Sequence, residues 1–215
     1  MDTVVYLIRH SESCNKANFN VINVKDDFQL TNEKTILSIN GEKKAEALSK
    51  CDELHNLDAV YSSNYVRALS TAKYIASENN TIVNIDERFN ERKIGNVVDG
   101  DFKEFFRLQA RDFDYKASGG ESLNETKKRI VEAMKNVLMF ETGNRVAIIS
   151  HSTALTCLLS AWCELGRNYD DEIILSYNEE SIVDGRWNAP AVIKVTFEGM
   201  NVTNIEYLDL LDEKK

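Results

Sequence analysis

Two short apolar runs in this 215-residue chain each lead into a histidine, and that pairing constrains the fold more than any other feature. The first is Val4 to Ile8, followed by Arg9-His10. The second is Val146-Ala147-Ile148-Ile149, followed by Ser150-His151. Short apolar runs without polar alternation read as strands buried on both faces, the pattern of a parallel sheet covered by helices. In such sheets ligands bind outside the carboxyl ends of the strands. The chain has 3 histidines, and two of them are predicted to stand at that edge.

The rest of the pattern agrees with an alternating architecture. Strands are predicted at residues 3–8, 57–61, 81–85, 145–150 and 191–197, with 201–207 as an edge strand. Between them lie helical periodicities: Ala45, Leu48 and Cys51 within 40–54, and Val66, Leu69, Ala72 and Ile75 within 64–77. Residues 122–142 open on a Ser122-x-x-Glu125 capping box, carry Ile130, Ala133, Val137 and Leu138 on one face, and run into Gly143. Residues 154–165 predict a buried helix stopped by Gly166. Such alternation implies an α/β fold, three-layer α/β/α, with a mostly parallel central sheet. Residues 15–35 are polar and predict a loop. Residues 96–120 contain one amphipathic piece, Phe102, Phe105, Phe106 and Leu108, and predict a small helical insert over the sheet. With no repeat, low-complexity tract or Pro-rich linker, residues 1–215 read as one domain.

Composition excludes several classes. A net charge of −9 and a pI near 5.0 argue against a nucleic-acid partner, which needs a basic face. Arg9 interrupts the opening apolar run, and no run approaches the roughly 20 residues that span a bilayer, so neither a signal peptide nor a membrane partner is expected. Cys14, Cys51, Cys157 and Cys163 lack CxxC or metal-ligand spacing and read as reduced thiols of a cytoplasmic protein.

The strand-end residues have the chemistry of phosphoryl transfer. A neutral imidazole at His10 can attack phosphorus, and Arg9 beside it offers a permanent charge and a fork that matches phosphate oxygens. Arg67 follows Ser62-Ser63-Asn64 on the first turn of a predicted helix, where free backbone N–H groups and the helix dipole favour anions. His151 precedes Ser152-Thr153 and another helix start. The acid is left open by this reasoning: Glu12, Glu87, Glu91 and Asp99 all qualify by type.

Six blocks then occur in order. Leu7-Ile8-Arg9-His10-Ser11-Glu12-Ser13 resembles the L-x-R-H-G-[EQ]-[ST] signature of the histidine phosphatase superfamily, the phosphoglycerate-mutase-like proteins. Leu37-Ser38-x-x-Gly41-x-x-Lys44-Ala45, Ser62-Ser63-x-x-x-Arg67-Ala68-x-x-Thr71-Ala72, Glu91-x-x-x-Gly95, Gly119-Gly120-Glu121-Ser122 and Ile149-Ser150-His151 resemble its later blocks. The resemblance implies that His10 is the phosphorylated nucleophile and that Arg9, Arg67 and His151 bind the phosphoryl group. It also implies that Glu91 is the acid and base, and that no metal or other cofactor takes part.

The chain departs from the family pattern at several positions. Ser11 and Ser152 replace glycines that follow the two histidines, and either side chain stands where it could crowd a phosphate or donate a hydrogen bond to it. Lys16 replaces a phosphate-binding asparagine, leaving Asn15, with Asn18 nearby, as a candidate for that role and Lys16 itself as a positively charged substitute. The block after Gly95 is degraded, reading Asn96-Val97-Val98-Asp99-Gly100. The expected function is metal-independent hydrolysis of phosphate monoesters on a phosphorylated small molecule, by a monomer or homodimer. The alternatives are a phosphoglycerate mutase and a non-catalytic phospholigand-binding module.

Overall fold

The computed structural model describes residues 1–14, 28–97, 100–185 and 187–211. Strands β1 (Asp2–Arg9), β2 (Ala59–Ser62), β3 (Val83–Ile85), β4 (Arg145–Ser150), β8 (Ala191–Glu198) and β9 (Asn201–Leu208) form one sheet in the order β3-β2-β4-β1-β8-β9. The pairs among β1 to β4 are parallel, while β8 and β9 join antiparallel. Along β1, Val5 and Leu7 face one side and Tyr6 and Ile8 the other, and all four are fully buried.

Helices α5 (Leu123–Phe140) and α6 (Ser152–Leu159) cover the first face with Ile130, Ala133, Met134, Leu155 and Leu158. Helices α2 (Ile39–Ser49) and α3 (Val66–Glu78) cover the second with Leu48, Ala68, Ala72 and Ile75. Each large apolar side chain buried in these two layers contributes about 1.5–3 kcal/mol relative to exposure. The result is the expected three-layer α/β/α arrangement.

Register decides where the chemistry emerges. Arg9 pairs with Ser150 and Ser62 with Ile149, so the residues just beyond them leave the sheet at one edge. The His10 amide donates to the Ser150 carbonyl at 3.0 Å, and the Ser63 amide to that of Ile149 at 3.0 Å. His10, Ser63 and His151 are therefore fixed by the ladder itself.

The structure corrects several expectations. Within the predicted loop 15–35, Phe28–Lys34 is a helix, α1; none of its residues is buried, so it carries no apolar stripe to betray it. The helix predicted over 154–165 ends at Leu159, and Glu164 opens β5 (Glu164–Arg167) instead. With β6 (Ile173–Tyr177) and β7 (Glu180–Asp184) it makes a second, antiparallel sheet that the sequence pattern does not announce. Its strands are half exposed, and its tight turn uses Asn178 and Glu179 at φ 50° and 68° without a glycine signal. The helix expected over 40–54 stops at Ser49, and a separate 3-10 turn covers Asp52–Leu54. The insert holds one helix, α4 (Phe102–Arg111), capped by the Asp101 side chain on the Glu104 amide. Among the described residues, no helix is long and apolar enough to cross a membrane.

Candidate active site

The two imidazoles face each other with ring centroids 5.1 Å apart, His10 at 6% exposure and His151 at 0%. Arg67 joins them. Its Nε donates to His10 Nε2 at 2.9 Å, its Nη2 donates to His151 Nδ1 at 3.0 Å, and its Nη1 donates to the Asn32 carbonyl on α1. Since both ring nitrogens accept, each ring carries its proton on the other side. His10 Nδ1 donates to the Ser11 carbonyl at 2.7 Å, and His151 Nε2 donates to Ser63 Oγ at 2.8 Å. The hydrogen-bond pattern thus assigns one neutral tautomer to each ring. Ser63, read from sequence only as part of a helix cap, sets the second one.

Burial, followed by the nearby Arg67 guanidinium, pushes both imidazole pKa values well below 6.5. Unfolding therefore lets both rings take up protons as pH falls below about 6.5, so stability is fully present above that pH and declines beneath it. We expect a slope of up to about 1.4 kcal/mol per pH unit for each ring. Urea unfolding between pH 7 and 5 should show a shallower decline in a His10→Gln/His151→Gln variant; equal slopes would refute the assignment.

Arg9 lies alongside, with Nη1 donating to the Trp187 carbonyl and to that of Asn188 at 3.3 Å, while its buried Nε has no partner among the described residues. Desolvation pulls the pKa of both Arg9 and Arg67 downward, and the Glu91 carboxylate opposes that in each. Glu91 thus shares the electrostatic neighbourhood of the cluster. Its oxygens accept from the amides of Thr153 at 3.2 Å and Ala154 at 3.0 Å, at the start of α6, and from the Arg92 amide at 2.9 Å.

The two serine departures behave differently. Ser11 turns away from the cluster: its Oγ donates to the Gly41 carbonyl at 2.7 Å and its amide to Thr71 Oγ1 at 3.0 Å. Its hydroxyl is thus spent on α2 rather than on either histidine, and only its carbonyl meets His10. Gly41 itself has no room for a side chain, since a Cβ would fall 2.0 Å from the Glu12 carbonyl oxygen. Ser152, the first residue of α6, is half buried and lines the adjoining cavity. Asn15, like Lys16, Asn18 and Asp99, lies outside the described residues.

That cavity, about 540 Å³, extends from Ser152 and Thr153 to Thr156, Trp187, Phe106 and Arg92. Arg92 is 7% exposed, and its guanidinium rests over the rings of Phe105 and Phe106 at 5.6 and 4.9 Å. Its Nε and Nη1 are buried without a hydrogen-bond partner among the described residues. In the sequence it is one of five basic residues flanking the insert, with Arg88, Lys93, Arg107 and Arg111, a set from which a contact to a second anionic group of the substrate is expected. A larger groove of about 650 Å³ between α2 and β9 contains none of the strand-end cluster.

Two imidazoles bridged by a buried guanidinium, with a second arginine beside them, thus stand together at the carboxyl edge of a mostly parallel sheet. A sequence profile of the histidine phosphatase superfamily, branch 1, matches residues 5–196, and the chain belongs to that family. It is 30% identical over 164 residues to the probable phosphoglycerate mutase GpmB of Serratia proteamaculans (strain 568), covering 73% of each chain. The protein of the same name from Salmonella choleraesuis (strain SC-B67) is 28% identical over 174 residues. Among solved structures, mycobacterial glucosyl-3-phosphoglycerate phosphatase superposes with a TM-score of 0.66 at 16% identity, over 98% of both chains. A phosphoserine phosphatase from Entamoeba histolytica gives 0.61 at 18% identity, over 94% of this chain and 96% of that one. At these identities the structural likeness establishes the fold alone.

Proposed function

We propose that this protein hydrolyses phosphate monoesters through a phosphohistidine at His10, with its own side chains meeting the phosphoryl charge without a metal ion. The observation that carries this reading is the tautomer of His10. With Nδ1–H held by the Ser11 carbonyl, Nε2 keeps its lone pair and lies 2.9 Å from Arg67 Nε, a donor that can pass to a phosphate oxygen.

In the first step the Nε2–P bond forms as the ester P–O bond breaks, and the departing oxygen takes a proton from the Glu91 carboxyl. Arg9 and Arg67 face the equatorial oxygens, His151 joins them as a donor once Nδ1 takes a proton, and Ser152 offers its hydroxyl. Donors fixed in advance where charge develops usually accelerate such reactions more than any other single effect. In the second step water attacks phosphorus, gives a proton to the Glu91 carboxylate, and the N–P bond breaks to release inorganic phosphate. Both residues return to their starting states.

Arg92 narrows the substrate class. The Glu91 and Glu121 carboxylates oppose only part of the cost of burying this guanidinium, whose Nε and Nη1 lack hydrogen-bond partners among the described residues, and an anion entering the cavity would relieve the rest. Substrates are therefore monoesters with a second anionic group, and phosphoglycerates and phosphoserine fit that description. The relatives named as mutases make phosphoryl exchange the competing reading; the short insert, with one helix of 10 residues, favours hydrolysis.

One experiment separates these. With 3-phosphoglycerate in excess EDTA, with and without 2,3-bisphosphoglycerate, we expect release of inorganic phosphate and no accumulation of 2-phosphoglycerate. Isomerisation without phosphate release would establish the mutase, and binding without turnover the non-catalytic module. Arg92→Gln should raise KM for 3-phosphoglycerate about ten times more than for para-nitrophenyl phosphate, the scale of one lost charge-assisted contact.

A further inference from the structure

We infer that Arg129 and Glu121 are positioning residues for Glu91, a single ion pair that clamps the backbone on both sides of it; the inference rests on Glu91 being the proton donor proposed above. Glu91 lies outside any helix or strand, between a 3-10 turn at Glu87–Phe89 and an isolated antiparallel bridge of Asn96 with Ser118. Left alone, such a segment would spread its carboxyl over several positions. The structure prevents this with one guanidinium.

Arg129, on α5, donates through Nη1 to the carbonyls of Arg88 at 2.7 Å and Asn90 at 3.1 Å. Its other edge meets Glu121 as a fork, Nε on Oε1 at 2.9 Å and Nη2 on Oε2 at 2.8 Å. Glu121 then holds the far side of the loop: its Oε2 accepts from the Lys93 amide at 2.9 Å, and its own amide donates to the Lys93 carbonyl at 2.8 Å. Residues 88, 90 and 93 are thus tied to one pair whose side chains are only 21% and 20% exposed. The Glu91 side chain points the opposite way, to the start of α6.

The same geometry shows why the blocks Glu91-x-x-x-Gly95 and Gly119-Gly120-Glu121-Ser122 form one unit. A Cβ on Gly120 would stand 2.4 Å from the Ile94 carbonyl oxygen, and one on Gly95 2.4 Å from the Gly120 amide nitrogen. The two segments touch backbone to backbone, which brings Glu121 within reach of Lys93. The ion pair makes no hydrogen bond to His10, Arg9, Arg67 or His151. The Arg129 charge also reaches His151, as the smallest of the influences that lower its pKa, and the Glu121 charge reaches Arg92; the ester selectivity below reads where the pair holds Glu91.

A clamp of this kind leaves a signature that a stabilising pair does not. An alkoxide must be protonated to leave, whereas 2,4-dinitrophenolate leaves unaided, so misplacing the acid slows only the first kind of ester. The constant kcat/KM isolates events up to formation of the phosphoenzyme, before water attacks. Misplacement by about 1 Å can cost about 100-fold. For Arg129→Lys and Glu121→Gln we expect kcat/KM for an alkyl phosphate to fall about 10- to 100-fold more than for 2,4-dinitrophenyl phosphate. Glu91→Gln should show the same selectivity, and Glu91→Gln/Arg129→Lys should be no worse than Glu91→Gln alone within about threefold.

Partial unfolding lowers both esters together and does not imitate this ratio. Equal losses on the two esters, or additive losses in the double variant, with Glu91→Gln still selective, would overturn the clamp. Absence of selectivity in Glu91→Gln itself would overturn the proton-donor reading beneath it.

Discussion

Replacing His10 with alanine is expected to abolish labelling of the protein by a phosphorylated substrate and to lower kcat by about four orders of magnitude or more, the scale seen when a covalent nucleophile is removed. The substitution deletes the ring nitrogen, Nε2, that the proposed reaction phosphorylates. His151 carries the same kind of lone pair on Nδ1 facing Arg67, but its ring is fully buried whereas His10 keeps 6% exposure, so it is expected to be a poor substitute. The loss is chemical rather than structural: the cluster stands at the end of β1, and the strand's apolar residues, from Val5 to Ile8, are untouched. Protein labelled from a radioactive phosphorylated substrate and quenched in alkaline detergent should carry an alkali-stable, acid-labile label in the wild type and none in the variant. Label retained in the variant, or turnover within about tenfold of wild type, would place the nucleophile elsewhere.

Arg67→Lys should cost about 1,000-fold in kcat/KM despite keeping the charge, since losing one fixed donor at the reacting charge costs about 100- to 1,000-fold and this change loses a geometry that serves two partners. Nε and Nη2 reach His10 and His151 from one rigid plane, which a single ammonium cannot do. The substitution carries a second, independent signature when made to glutamine. Arg67 is the largest electrostatic influence holding both imidazole pKa values down after burial itself, so its removal lets both rise toward the ordinary value. The acid limb of the pH profile should then move to higher pH, and histidine titration by NMR should follow it. A loss under about tenfold, or an unmoved acid limb, would remove Arg67 from the site.

How much of this was legible in sequence follows from what each segment buries. Strands β1 and β4 bury both faces, so continuous apolar runs marked them to within a residue or two. Helix α5 announced itself through the Ser122/Glu125 capping box, which the structure forms, and through Gly143 at φ 82° just past its end. α1 was invisible because it buries nothing of its own and is held from outside by contacts such as Gln29 on Tyr65 and Phe28 against Phe102. β5 to β7 were missed because strands exposed on one side and partly on the other lose the apolar signal.

The candidate site divides similarly. Both histidines and both arginines could be read from strand ends and a helix start, since backbone direction alone aims them at one edge. Glu91 could be singled out only by its family block, because its place depends on contacts with α6 and α5 that no local pattern encodes. Ser11 shows the limit of type-based reasoning. Its side chain could point either way, and a carbonyl 30 residues later in the sequence decides it.

The position of β1 between β4 and β8 has a consequence for how the molecule comes into being. β1 is synthesised before either neighbour, and its ladders close only when residues 145–150 and 191–198 arrive. Long-separation contacts of this kind fold slowly, since the loops must close before the pairing rewards them. A partly translated chain therefore carries His10 behind an unpaired segment whose centre, Val4 to Ile8, is apolar, without the ladder that aims it. The strand-end cluster of His10, Arg67 and His151 thus assembles late, and the nascent chain is most in need of protection from aggregation until β8 docks.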